Sequence, residues 1–185
     1  MGTLLNKAII FATQVHDGQM RKGSNSPYIL HPLEAAAIVS TITLDEEIIA
    51  AAVLHDVVED TGTPLAQVES MFGERVAFLV AGESENKREN LPAADTWKIR
   101  KIETIDHLKN ADEDIKIITL GDKLSNIRAI NRDYKKLGDN LWQRFNQKNK
   151  SEHEWYYRSI AECLNELKDH QAYEEYVNLV DETFA

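Results

Sequence analysis

Residues 55–60 read His55-Asp56-Val57-Val58-Glu59-Asp60, one imidazole and three carboxylates on less than two turns of predicted helix. His55 and Glu59 are four positions apart, Asp56 and Glu59 three, and Asp56 and Asp60 four. At helical spacing these side chains share one broad face. Clustered carboxylates repel, so the face is poor as structure. It suits a bound cation with an acid/base pair beside it. The plain alternative for Glu59-Asp60 is a solvated helix end, but negative charge at a C-terminal end opposes the macrodipole. Asp122 follows the apolar run from Ile115 to Gly121, and a carboxylate in a core helix needs a partner to offset its desolvation. With His31, these residues offer two imidazoles and two carboxylates: His31, His55, Asp56 and Asp122. Such a mixed N/O set suits manganese, iron, zinc or cobalt better than calcium.

The elements that must position these groups read as helices. Leu4, Leu5, Ala8, Ile9, Ala12 and Val15 recur at helical spacing, and Gly18 to Tyr28 is a polar loop. Pro32 suits a first helical turn. Thr43-Leu44-Asp45-Glu46 resembles a capping box ahead of Ile48 to Leu54. Thr63 is expected to cap a helix that has Pro64 inside its first turn. Residues 82–94 are polar and charged and predict a surface loop or lid. Further helices are expected over 95–108, 115–130, 154–168 and 172–180, with the second of these central and a loop at 133–138. The expected class is all-α, a compact multi-helix bundle forming one domain over 1–185.

Composition narrows the function. The net charge of −10 makes a poor general nucleic-acid binder, since phosphate contacts need clustered Lys and Arg. A small anionic nucleotide remains suitable if a metal and a few cations share one cleft. Cys163 is the only cysteine, so there is no disulfide framework and no zinc knuckle, and a reducing, cytoplasmic setting is expected. Its apolar helical context reads as a buried small hydrophobe. The N-terminus resembles an amphipathic helix, not a signal peptide, and no apolar run approaches membrane-spanning length.

Four ordered blocks make a specific resemblance: His16 to Lys22, Pro27 to Leu33, Leu54 to Thr61, and Gly121 to Arg128. Phe72-Gly73-Glu74-Arg75-Val76 and Leu79-Val80 fit as well. The chain resembles the HD-domain phosphohydrolases, and within them the hydrolase domain of the RelA/SpoT-like alarmone enzymes. That resemblance implies that His31, His55, Asp56 and Asp122 bind one divalent ion, commonly manganese. It implies that Glu59 and Asp60 are the catalytic carboxylates, and that Arg21, Lys22, Asn126 and Tyr156 lie at a small nucleotide substrate. The longer members carry synthetase and regulatory domains after this one; the chain ends at Ala185, so hydrolysis alone is expected. Gly23-Ser24-Asn25-Ser26, the segment 83–90 and Gly121 depart from the usual pattern.

Other residues carry plainer expectations. His16 reads as a packing or supporting residue, and His107, His153 and His170 as surface residues. Arg21-Lys22 alone would read as surface charge, and Lys98, Arg100 and Lys101 as a solvated helix face. Trp155-Tyr156-Tyr157 could be core, or could stack on a base. The leading expectation is removal of the 3′-pyrophosphate from guanosine tetra- or pentaphosphate. The alternatives are an HD-type phosphohydrolase of another nucleotide, such as a nicotinamide dinucleotide phosphate or a nucleoside monophosphate, and a vestigial nucleotide-binding module.

Overall fold

Apolar residues at three- and four-residue spacing become helices almost throughout residues 3–85, 88 and 90–185, the part described by this computed structural model. The elements are α1 (Leu4–Val15), α2 (Leu30–Val39), α3 (Glu46–Leu54), α4 (Val57–Thr61), α5 (Leu65–Phe72), α6 (Glu74–Glu83), α7 (Ala93–Leu108) and α8 (Glu113–Leu137). A 3-10 segment (Gly138–Arg144), α9 (Lys150–Cys163), a 3-10 turn (Asn165–Leu167) and α10 (Gln171–Phe184) follow. No strand occurs among the described residues; one isolated bridge joins Met20 to Pro27 across the polar loop. The all-α bundle expected from the sequence is what forms.

α8 is the axis. Most of its side chains from Ile115 to Asn131 are buried, and it packs against α2, α3, α6 and α10. Gly121 lets α2 come close, because a Cβ there would meet Ala35 O and Val39 Cγ2, each at 2.7 Å. That contact sets the spacing between His31 on α2 and Asp122 on α8. The predicted loop at 133–138 is helix up to Leu137: no breaker precedes Gly138, which turns the chain with φ +54°. Asp133 and Tyr134 are held in the last turns by Arg144 and the Trp142 ring.

The sequence 55–60 does not lie on one continuous helix. α3 stops at Leu54, His55-Asp56 form a turn, and α4 begins at Val57. Gly62, at φ +73°, closes α4 in the left-handed region. The break re-aims His55 and Asp56 inward. Two predicted caps also differ. Asp45 caps α3 by accepting from Glu47 N at 2.9 Å, because Glu46 is taken by Leu5 N of α1 at 3.0 Å and cannot close a box. Thr63 caps nothing; its hydroxyl pairs with Thr61 at 2.7 Å, and Pro64 stands just before α5 in extended conformation. Asn149 starts α9 four residues ahead of the predicted 154, accepting from Ser151 N, and α9 ends at Cys163 in place of the predicted 168. α10 runs on past the predicted 180 to Phe184, whose ring stacks on Trp142.

The predicted 82–94 loop is shorter, since Gly82 and Glu83 belong to α6 and Ala93 opens α7. Its residues Asn86, Lys87 and Glu89 lie outside the described residues, and with them a test of the lid. No helix among the described residues is long and apolar enough to cross a membrane.

Candidate metal centre and adjoining cleft

α2, α8 and the turn between α3 and α4 deliver four donors to one point. His31 Nε2 lies 3.1 Å from Asp122 Oδ1 and 3.5 Å from Asp56 Oδ2. His55 Nε2 lies 3.0 Å from Asp56 Oδ2 and 3.7 Å from Asp122 Oδ1. Both rings are buried, and their planes meet edge to face.

The outer face of each ring fixes what the inner face offers. His55 Nδ1 is 2.8 Å from the carbonyl of Ala52, which can only accept, so the proton sits on Nδ1. His31 Nδ1 is 2.8 Å from Ser125 Oγ, whose own hydrogen goes to Glu34 Oε2, also at 2.8 Å. A hydroxyl has one hydrogen, so Ser125 accepts from His31 Nδ1. Both Nε2 atoms therefore face carboxylate oxygens at 3.0–3.7 Å. Lone pair facing lone pair is repulsive unless a positive charge lies between them. His31, His55 and Asp122 bring ligand atoms within 4.8 Å of one another, a set that fits a divalent cation, and Asp56 lies against both rings. In place of an ion, a proton on His55 Nε2 supplies that positive charge. Burial opposes charge on His55, but Asp56 and Asp122 outweigh it and push the imidazole up to about 10. His31 is lowered by burial. Burial also works against the Asp56 and Asp122 carboxylates, yet His55 for the one and Lys123 for the other hold them below the usual range.

A shell of polar groups orients the acids. Tyr28 Oη donates to Asp56 Oδ2 at 2.6 Å, and burial together with Asp56 and Asp60 pushes its phenol far upward. Lys123 Nζ and Asn126 Nδ2 each lie 2.5 Å from an Asp122 oxygen, and Arg21 donates to Asn126 at 2.9 Å. Glu59 accepts from the backbone N–H of Glu85 at 3.2 Å. Gln19 donates to the Asp60 carbonyl at 2.9 Å and also meets His16, whose ring lies tilted against Tyr28. The supporting role expected of His16 is the one it has. Glu59 and Asp60 line the same hollow as the four donors.

Beside this hollow lies a cleft of about 300 Å³ that shares Arg21, Tyr28, Lys101, Lys123 and Asn126 with it. Six basic side chains line the cleft (Arg21, Lys22, Lys101, Lys123, Arg132, Arg144) against one acid, Asp133. In a chain of charge −10 that is a local reversal of sign. Tyr156 is buried in the wall with its hydroxyl unpartnered, and the ammonium groups of Lys101 and Lys123 stand 4.7 and 5.9 Å from its ring centre. Tyr157 is core, and half-buried Trp155 carries Lys98 over its ring. Lys22 is exposed on the rim, bonded to Asn146.

Two plain expectations fail. His153 is buried, stacked on Trp142 and bonded to the Gln147 carbonyl. Arg100 and Lys101 are not a solvated face: both pair with Glu85, itself half-buried, at 3.0 and 2.6 Å. Sequence reasoning also passed over Tyr28, Lys123, Glu83 and Glu85. Lys123 carried a signal, a second charge beside Asp122 in an apolar helix; Glu83 and Glu85 looked like any polar segment.

The profile described as HD domain matches residues 8–151. The guanosine-3′,5′-bis(diphosphate) 3′-pyrophosphohydrolase MESH1 of Danio rerio is 39% identical over 133 residues, 70% of this chain and 70% of that protein. GTP pyrophosphokinase rsh of Brucella ovis is 37% identical over 132 residues, 69% of this chain, which spans only 17% of that longer protein. The solved structure of a metazoan ortholog of SpoT that hydrolyses ppGpp superposes with a TM-score of 0.79, covering 100% of this chain and 98% of that one at 23% identity, a likeness of fold. The profile spans every segment that builds the four-donor cluster, and the chain belongs to the HD-domain family, among its RelA/SpoT-like members.

Proposed function

We propose that the protein is a metal-dependent nucleotide phosphohydrolase that removes the 3′-pyrophosphate of guanosine tetra- or pentaphosphate. The observation that carries this is the junction of two dissimilar hollows: an acidic four-donor cluster opening into a basic, aromatic-walled cleft. A diphosphate at the cluster and a nucleoside with further phosphates in the cleft match the charge pattern of such a substrate. The same activity is named for the Danio rerio relative.

His31, His55, Asp56 and Asp122 would hold one divalent ion; the donor set suits several transition metals, and the family resemblance favours manganese among them. When bound, the ion supplies Lewis-acid polarisation of a phosphoryl oxygen and acidifies water at neutral pH. Glu59 orients the attacking water and takes its proton, steadied by the Glu85 amide. Asp60, beside Tyr28, completes the acid/base pair. Arg21 and Lys123 neutralise phosphate oxygens; Lys101 does so after exchanging Glu85 for the substrate. Tyr156 offers a ring face or its hydroxyl to the nucleoside. Lys22 meets outlying phosphate at the rim. The free thiol of Cys163 accords with a reducing, cytoplasmic setting.

The test is incubation of manganese-loaded protein with guanosine tetraphosphate, reading pyrophosphate and GDP. Release of both in equal amount is expected. Turnover of a different nucleotide without release of pyrophosphate from the alarmone would leave the chemistry and discard the substrate.

A further inference from the structure

A chain of side chains leads from the surface to the outer face of His31. Glu175 on α10 grips Arg128 on α8 through two bonds of 2.7 Å. Arg128 Nη1 reaches Glu34 Oε1 on α2 at 3.1 Å. The other Glu34 oxygen accepts from Ser125 on α8 at 2.8 Å, and Ser125 meets His31 Nδ1 at 2.8 Å. Ser125 is 1% exposed, so water cannot substitute for either partner.

The direction of these bonds is dictated by chemistry. A carboxylate only accepts; Ser125 must spend its single hydrogen on Glu34; its lone pair then takes the Nδ1 proton of His31. Were Glu34 absent, the Ser125 hydroxyl could turn round and donate to an unprotonated Nδ1. The ring proton would then sit on Nε2, the nitrogen that faces Asp122 and Asp56. A protonated Nε2 has no lone pair for a cation. His55 needs no such device, because a backbone carbonyl already fixes its tautomer.

We infer that Ser125 and Glu34 are positioning residues of the metal centre, holding His31 in the one tautomer able to bind an ion. Arg128, anchored by Glu175, keeps the Glu34 carboxylate turned toward Ser125. The inference rests on His31 being a metal ligand, as proposed above. The bland alternative is that the four residues form an ion-paired clasp between α2, α8 and α10 and only stabilise the fold.

Glu34→Ala, Ser125→Ala, Glu175→Ala and His31→Ala are compared with the parent chain. Free Mn²⁺ is counted by electron paramagnetic resonance, and thermal unfolding is followed without metal. The Glu34 side chain is 40% exposed, so its truncation leaves the core intact. Glu34→Ala and Ser125→Ala should weaken Mn²⁺ binding by about tenfold to a hundredfold, the usual effect of removing a ligand's outer hydrogen bond. Glu175→Ala, which breaks the clasp but leaves the Ser125–Glu34 bond, should change affinity by less than about threefold. Long-range ¹H–¹⁵N spectra of the metal-free protein should place the His31 proton on Nδ1 in the parent, with Nε2 gaining population in Glu34→Ala and Ser125→Ala. Unchanged tautomer and affinity in both variants would overturn the inference while His31→Ala still loses metal. Equal losses in Glu34→Ala and Glu175→Ala would assign the chain to the clasp. If His31→Ala binds Mn²⁺ as tightly as the parent, the metal reading and this inference fall together.

Discussion

Removing one carboxylate at a time separates holding a cation from moving a proton. Asp56 touches His55 and accepts from Tyr28, so Asp56→Ala strips one donor and leaves a half-buried phenol without its acceptor. Metal affinity should fall by at least about a hundredfold, with no residual turnover, read by metal titration and phosphate release. Glu59→Gln keeps the shape and the bond from the Glu85 amide but cannot take a proton. Its kcat should drop by about 10²–10⁴ while Mn²⁺ affinity stays within about threefold. A Glu59→Gln variant with normal kcat would remove Glu59 from proton transfer. At this scale, the four converging donors were legible because their types are rare in apolar surroundings and their order along the chain is specific. Tyr28, Ser125 and Glu34 were not. A phenol in a polar loop, a serine in a helix and an acid on a helix surface are commonplace until the fold sets each against a donor residue.

Helices were legible as elements, and their joints were not. The break at His55-Asp56 is invisible to periodicity, since Leu54 and Val57 are apolar and no Gly or Pro intervenes. Tertiary bonds from Asp56 to Tyr28 and His55 decide it. The capping box failed for a similar reason, because Glu46 serves α1. Gly121 is where one element's placement governs the site. A methyl group there meets the Ala35 carbonyl and Val39 at 2.7 Å, and backbone cannot yield as a side chain can. Gly121→Ala must therefore move α2 away from α8, opening the His31–Asp122 distance that is now 3.1 Å. Overpacking of this kind costs about 1–3 kcal/mol, set against about 1 kcal/mol gained from alanine's helix propensity. Net destabilisation of up to about 2 kcal/mol is expected by denaturant titration. Mn²⁺ affinity should drop with it, and a variant that is more stable than the parent and binds metal unchanged would show that α2 has room to spare.

Over the whole molecule, one half-buried acid couples the site to global stability. Glu83 closes α6 against α8, accepting from Thr119 at 2.6 Å in the hollow that holds the four donors. Burial pushes its carboxyl from the ordinary 4.5 up to about 7, with Lys123 opposing. In the unfolded chain this acid loses its proton near pH 4.5, whereas the folded protein keeps it until about pH 7. Between those values the folded state binds more protons, so stability falls as pH rises, and the loss is complete above about pH 7. The size follows from the shift, on the order of 3 kcal/mol. Glu83→Gln removes the titration and keeps a group able to bond Thr119. It should be more stable than the parent at pH 8, by on the order of 3 kcal/mol, the Lys123 attraction being already contained in the shift, and nearly equal to it at pH 4.5. Chemical denaturation at the two pH values decides the matter. A gap that is the same at both would mean that Glu83 ionises alike in the folded and unfolded chain. Loading with Mn²⁺ adds a second lever, because an ion of charge +2 in the same hollow favours the Glu83 carboxylate, so the difference between parent and variant at pH 8 should shrink when metal is present.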